Sequence, residues 1–206
     1  IAVRDLALAG SLAYLANDSG LHVVDFSNPA QPVFAGAYKQ PLSTPLGVSA
    51  SGAFAYVATG LSLQVVKVSD PSHPSLAGSY EYGWPGLFDV ALAGRYAYVA
   101  SGGDGLLVLD ISSPGNPLKT GMLDTPGMAQ SVAVAGDIAC VADFDGGLRV
   151  IDISDPAQPV ERGFLDTEEF SYDVAIAGDT AYLADAFGGL RVIDISDPAN
   201  PVLTRT

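Results

Sequence analysis

The chain has 206 residues, of which 49% are apolar and only 16% charged, a balance that excludes a disordered chain. Its 23 acidic residues against nine Lys and Arg leave a formal net charge of −14, and the nine are scattered, so the surface repels nucleic acid and anionic membrane. The lone cysteine, Cys140, rules out an intrachain disulfide, and no apolar run reaches the length of a membrane-spanning helix.

The chain starts at Ile1 rather than Met and shows no signal peptide, which reads as a processed chain, a cloned fragment or a partial sequence. From there one unit is written five times. A glycine recurs at Gly10, Gly52, Gly94, Gly136 and Gly178, always 42 residues apart. Leu-x-Val segments start at Leu21, Leu63, Leu106, Leu148 and Leu190, and two prolines follow each, as at Pro29 and Pro32. The repeats run over about 1–40, 41–83, 84–125, 126–167 and 168–206. Repeat two departs most: it has Lys67 where the others carry Asp25, Asp110, Asp152 and Asp194. In repeat four, Cys140 takes the place of Tyr14, Tyr56, Tyr98 and Tyr182, which reads as a buried core thiol.

The third repeat shows the elements most plainly. Val90–Ala93 is a short strand ended by Gly94, and Tyr96–Ala100 follows after a tight turn. A glycine loop, Ser101–Gly105, leads to the most apolar strand, Leu106–Ile111. The turn Ser112–Pro117 is rich in Ser, Asn, Gly and Pro, and Leu118–Leu123 makes a fourth, weaker strand. No stretch keeps a 3.6-residue period, and two prolines per repeat break any helix. Four short strands in a unit of this length are the size of a propeller blade. The expected fold is all-β: a single domain over 1–206, a β-propeller of five four-stranded blades. We expect a closed ring whose seam is held only by packing between blades one and five. The alternative is an arc of a larger propeller.

Gly147–Val160 and Gly189–Val202 both read Gly-Leu-Arg-Val-Ile-Asp-Ile-Ser-Asp-Pro-Ala-x-Pro-Val, and Gly20–Val33 is close to them. These segments resemble LVIVD repeats, a family of β-propeller repeats frequent in bacterial and archaeal surface and secreted proteins. The resemblance covers the whole chain. It implies the propeller fold and a place outside the cytoplasm: extracellular, on the cell surface or periplasmic. It carries over no catalytic residues.

In a four-stranded meander with its first strand innermost, residues before strand one and after strand two surround one mouth of the channel. Before strand one stand Asp5, Gly47, Asp89, Ser131 and Asp173. After strand two stand Asn17-Asp18, Thr59, Ser101 to Asp104, Asp143-Phe144-Asp145 and Asp185. Oxygen ligands of this kind suit a hard cation, so Asp89, Asp143, Asp173 and Asp185 are candidate calcium ligands. Asp143-Phe144-Asp145-Gly146 starts like an EF-hand loop, but its twelfth position is Ser154 rather than Glu. Aromatic residues collect in the same loops. With the nearby carboxylates they define a candidate partner surface of Trp84, Phe88, Asp89, Phe144, Tyr172, Asp173 and Phe187. The regularly recurring Asp-Pro corners and the strand aspartates read instead as turn chemistry.

No nucleophile with a base, no His cluster and no phosphate-cradling loop is visible. The expected role is therefore a non-catalytic binding or scaffold propeller outside the cytoplasm, meeting a protein or a surface glycan. The alternatives are a calcium-dependent hydrolase or lactonase using the acidic mouth, or a purely structural subunit of a larger assembly.

Overall fold

A computed structural model describes residues 2–39 and 44–205. It contains five four-stranded antiparallel sheets, each formed from one continuous stretch of chain. Blade 1 comprises β1 (Val3–Ala9), β2 (Leu12–Asn17), β3 (Gly20–Asp25) and β4 (Val33–Tyr38). Blade 2 comprises β5 (Gly47–Ser51), β6 (Phe54–Ala58), β7 (Ser62–Lys67) and β8 (Ser75–Glu81). Blade 3 comprises β9 (Asp89–Ala93), β10 (Tyr96–Ala100), β11 (Leu106–Asp110) and β12 (Leu118–Leu123). Blade 4 comprises β13 (Ser131–Ala135), β14 (Ile138–Ala142), β15 (Leu148–Asp152) and β16 (Val160–Leu165). Blade 5 comprises β17 (Ser171–Ala177), β18 (Thr180–Asp185), β19 (Gly189–Asp194) and β20 (Val202–Arg205), with a single 3-10 turn at Ala186–Gly188.

Each blade is a meander in chain order. The turn between its first two strands uses a glycine in the left-handed region, such as Gly94 at φ 58°, which a side chain would strain. Successive strand residues face opposite ways, so each blade offers one apolar face to the blade before it and one to the blade after. The middle strands are accordingly apolar on both faces: Leu106, Leu107, Val108 and Leu109 are all fully buried. Four cores result. Tyr14, Leu21 and Val23 of blade 1 pack on Val48, Val57 and Val66 of blade 2. Tyr56, Leu63 and Val65 pack on Val90, Val99 and Leu107. Tyr98, Leu106 and Val108 pack on Val132, Val141 and Ile151. Cys140, Leu148 and Val150 pack on Val174, Leu183 and Ile193. Cys140 is thus core filler, and burial pushes its thiol up to about 12.

The outer strands are locked by a device the sequence reading did not identify. The pairing of third and fourth strands shifts by one residue in every blade, at a bulge. Next to each of the first four bulges stands a glycine: Gly36, Gly78, Gly121 and Gly163. A Cβ there would run into the proline corner of the following blade, at the carbonyl oxygens of Pro71, Pro114, Pro156 and Pro198. In blade 5 the same register position is Arg205.

The corners themselves follow from their residues. Asp25, Asp110, Asp152 and Asp194 accept hydrogen bonds from the amides of Ser27, Ser112, Ser154 and Ser196 at 2.8–2.9 Å. Arg95 pairs with Asp110, and Arg162 with Asp152 at 2.6 Å. Three residues on, Asp70, Asp155 and Asp197 bond the amides of Ser72, Ala157 and Ala199 at 3.0–3.1 Å.

Candidate functional site

The first strands line the centre. Their leading residues meet at a cleft of about 230 Å³ formed by Arg4, Asp5, Leu46, Phe88, Asp89, Gln130, Ser131, Tyr172 and Asp173. The meander accounts for this: Asp89 lies opposite Ala100, and Ser131 opposite Ala142, so the starts of first strands and the ends of second strands share one rim.

The carboxylates at the cleft are latches between blades. Asp5 accepts its neighbour Leu6 N–H at 2.7 Å and, through its other oxygen, Val48 N–H of blade 2 at 2.6 Å. Asp89 repeats the pattern two joints further on, accepting Val90 N–H at 2.7 Å and Val132 N–H of blade 4 at 3.0 Å. Gly47 leaves the room this needs, since a Cβ there would sit 2.8 Å from an Asp89 carboxylate oxygen. Ser131 Oγ lies 2.8 Å from Asp89 and 2.7 Å from Asp173. One hydroxyl proton serves only one of the two carboxylates at a time. Burial, with the charge of Asp5 adding to it, pushes the Asp89 carboxyl up to about 6.

Asp143 and Asp185 are not part of this cleft, although all four aspartates were expected around one ion. Each turns into its own blade, where an arginine six residues on meets it. Asp143 is fully buried, accepting Thr125 Oγ1–H at 2.6 Å, Gly127 N–H at 2.9 Å and Arg149 Nε–H at 3.3 Å. Asp185 accepts Thr167 Oγ1–H at 2.7 Å, Ser171 Oγ–H at 3.1 Å and Arg191 Nε–H at 2.9 Å. Their acceptor capacity goes to hydroxyls, an amide and a guanidinium, which is how a buried carboxylate is normally satisfied. Burial still raises the pKa of Asp143, working against those partners. Among the described residues, no three His, Cys, Asp or Glu side chains are grouped to hold a metal ion.

The aromatic candidates divide in the same way. Phe144 stacks on Phe170 with ring centroids 4.3 Å apart, and Tyr172 meets Phe144 edge-on at 5.4 Å. Tyr172 also walls the acidic cleft, so this aromatic group and the carboxylates share one rim. Phe170 is one of the aromatic residues these loops collect, two residues before Tyr172, but the candidate partner surface did not include it. Phe144 adopts φ 50°, where repeats two and three place Gly60 and Gly102. A phenylalanine there holds the left-handed backbone at a cost, and the strained turn aims its ring at Phe170. Phe88 is shared between the acidic cleft and a second one of about 410 Å³, lined mainly by Leu46, Leu61, Trp84 and Pro85. Trp84 is 89% exposed beside its cis bond to Pro85, and Phe187 is 96% exposed at the far side of blade 5. Trp84 and Phe187 therefore flank the rim and are not packed with the three-ring group. The sequon-like Asn17-Asp18-Ser19 is closed off, because Asn17 is buried and its Oδ1 accepts both the amide and the hydroxyl of Ser19.

Five radial meanders around a central cleft define a β-propeller repeat protein. The chain belongs to the LVIVD repeat family, whose model matches residues 2–40, 46–81, 88–125, 126–167 and 171–206. A search of the curated proteins finds no match. Solved structures that the chain resembles include a protein from Lactobacillus plantarum, at 14% identity and a TM-score of 0.83, covering 98% of this chain and 70% of that one. A functionally unknown protein from Desulfotomaculum acetoxidans DSM 771 is 13% identical with a TM-score of 0.82, covering 98% of this chain and 69% of that one. The WD40 repeats of RRP9 are 14% identical with a TM-score of 0.74, covering 98% of this chain and 65% of that one. At these identities the likeness concerns the fold.

Proposed function

We propose that this propeller is a non-catalytic binding or scaffold module that works outside the cytoplasm and takes a protein partner across the aromatic side of its mouth. The observation that carries this reading is the group Phe144, Phe170 and Tyr172. Phe170 and Tyr172 are 45% and 50% exposed, and the group borders an acidic cleft on a backbone turn that would be relaxed by glycine. Partly exposed aromatic anchors beside charged groups are the usual makings of a binding hot spot. The carboxylates there favour a partner that brings Lys or Arg. The place outside the cytoplasm draws on the company LVIVD repeats keep, and the charge of −14 keeps such a surface soluble. The calcium-dependent hydrolase alternative asks for several carboxylates around one ion. Asp143 and Asp185 are instead committed to Arg149 and Arg191.

The test is selection of a displayed random peptide library against the chain, with counter-selection against Tyr172→Ala and Phe144→Gly, both checked for an unchanged fold. Peptides rich in Lys or Arg should be enriched, and Tyr172→Ala should weaken them at least about tenfold. Binders indifferent to both substitutions would overturn the site. Recovery from a glycan array but not from the peptide library would make the partner a surface sugar instead.

A further inference from the structure

The four cores leave two sheet faces uncovered among the described residues. On blade 5, the residues facing away from blade 4 include Tyr182 and Leu190, which are 37% and 58% exposed. Their counterparts one repeat earlier, Cys140 and Leu148, are fully buried against blade 5. On blade 1, Leu6 and Leu8 are 50% and 62% exposed, whereas Val48 and Val132, which hold the place of Leu6 in blades 2 and 4, lie in inter-blade cores. The two free faces are therefore the two halves of the joint this molecule makes four times over. They do not cover each other, because both remain exposed.

We propose that about two further blades of this same repeat, continuous with the chain, fill the space between blade 5 and blade 1 and complete a larger ring. Nearly the whole chain superposes on the Lactobacillus plantarum and Desulfotomaculum acetoxidans structures, yet it fills only 70% and 69% of them. The remainder of each is room for about two blades of the size seen here. A second copy of the chain fits less well. Each copy carries −14, and arcs joined head to tail would run on without closing.

Two measurements test this. The first places nitroxide labels at Leu8→Cys and Leu190→Cys and reads their separation by double electron–electron resonance. Cys140 stays unlabelled, being fully buried with its thiol pushed up to about 12. With neighbouring sheets about 10 Å apart, a gap of two blades separates the labels by more than roughly 20 Å. The second fuses another copy of residues 84–167 after Thr206. The extended chain should melt roughly 5 °C or more above the parent. Leu6→Lys, nearly silent in the parent, should lower the melting temperature of the extended chain. Labels within roughly 12 Å would mean that five blades close on themselves, and would overturn the proposal. So would a concentration-dependent dimer abolished by Leu6→Lys, or an extension that folds without raising the melting temperature. Should the extended chain not fold, the label distance in the parent still decides.

Discussion

Asp89 is tied to three partners at the mouth. It holds the amides of Val90 and Val132, and it shares the hydroxyl of Ser131 with Asp173. Its carboxyl is raised from 3.8 to about 6, so the folded chain binds that proton more tightly than the unfolded chain does. The stability linked to the proton is complete below about pH 4 and is lost as pH rises through about 6. Asp89→Asn removes this titration. Relative to the variant, the parent chain should lose about 1–3 kcal/mol between pH 4 and pH 7, read from urea unfolding across that range. The change with pH carries the test, because the amide alters the hydrogen bonds to Ser131 and Val132 at every pH. A parent–variant difference that stays flat would show that Asp89 is ionised throughout. The corner aspartates act at the other end of the scale: Asp70 is held down to about 2 by the hydroxyl of Ser72, and Asp110 to about 2 by Arg95. They titrate below this window, and any other group with a raised pKa is common to both chains and cancels.

At the scale of the strand, glycines divide into two kinds that composition alone does not separate. Gly94 holds a tight turn at φ 58° with nothing near its missing side chain, so Gly94→Ala meets only backbone strain, about 1 kcal/mol. Gly121 sits under the corner of blade 4, where a Cβ would collide with the carbonyl oxygen of Pro156. Gly121→Ala should cost about 2–3 kcal/mol and separate blade 3 from blade 4, measured by urea unfolding of both variants. Equal losses would mean that the corner yields. The blades themselves were legible in the sequence, because short strands, turn glycines and proline corners are local signals that recur at a fixed pitch. The ring of Asp5, Asp89, Ser131 and Asp173 was legible too, since a meander puts the starts of first strands together. The fates of Asp143 and Asp185 were not read, because residue type alone does not say which way a loop carboxylate turns. A signal did exist: Arg149 and Arg191 stand six residues after them, and where repeat three has Ser101 it has Leu107 at that offset. Aspartate and arginine enter and leave together, as a buried pair must. The glycine–corner contact was invisible for another reason: it joins strand four of one blade to a turn in the next, a relation no single repeat displays.

For the molecule as a whole, the four cores order the blades by how many neighbours hold them. Among the described residues, blades 2, 3 and 4 are packed on both faces, whereas blades 1 and 5 are packed on one. In a repeat array, stability is close to a sum of unit and nearest-neighbour terms, so the units with one joint open most readily. Amide hydrogen exchange should therefore be slowest in β10 and β11 and faster by about tenfold or more in β2 and β18, although the strands have the same hydrogen-bonding pattern. Uniform protection from end to end would mean that the blades open only as one unit. The gradient bears on the mouth as well. The cleft draws Asp5 from blade 1 and Tyr172 with Asp173 from blade 5, the two blades held on one face only, and Asp89 and Ser131 from the blades between. Half of the proposed partner surface thus rests on a rigid bed and half on leaves that can swing. A partner that bridges the two halves would act as a clasp, slowing the exchange of blades 1 and 5 while leaving blade 3 as it was.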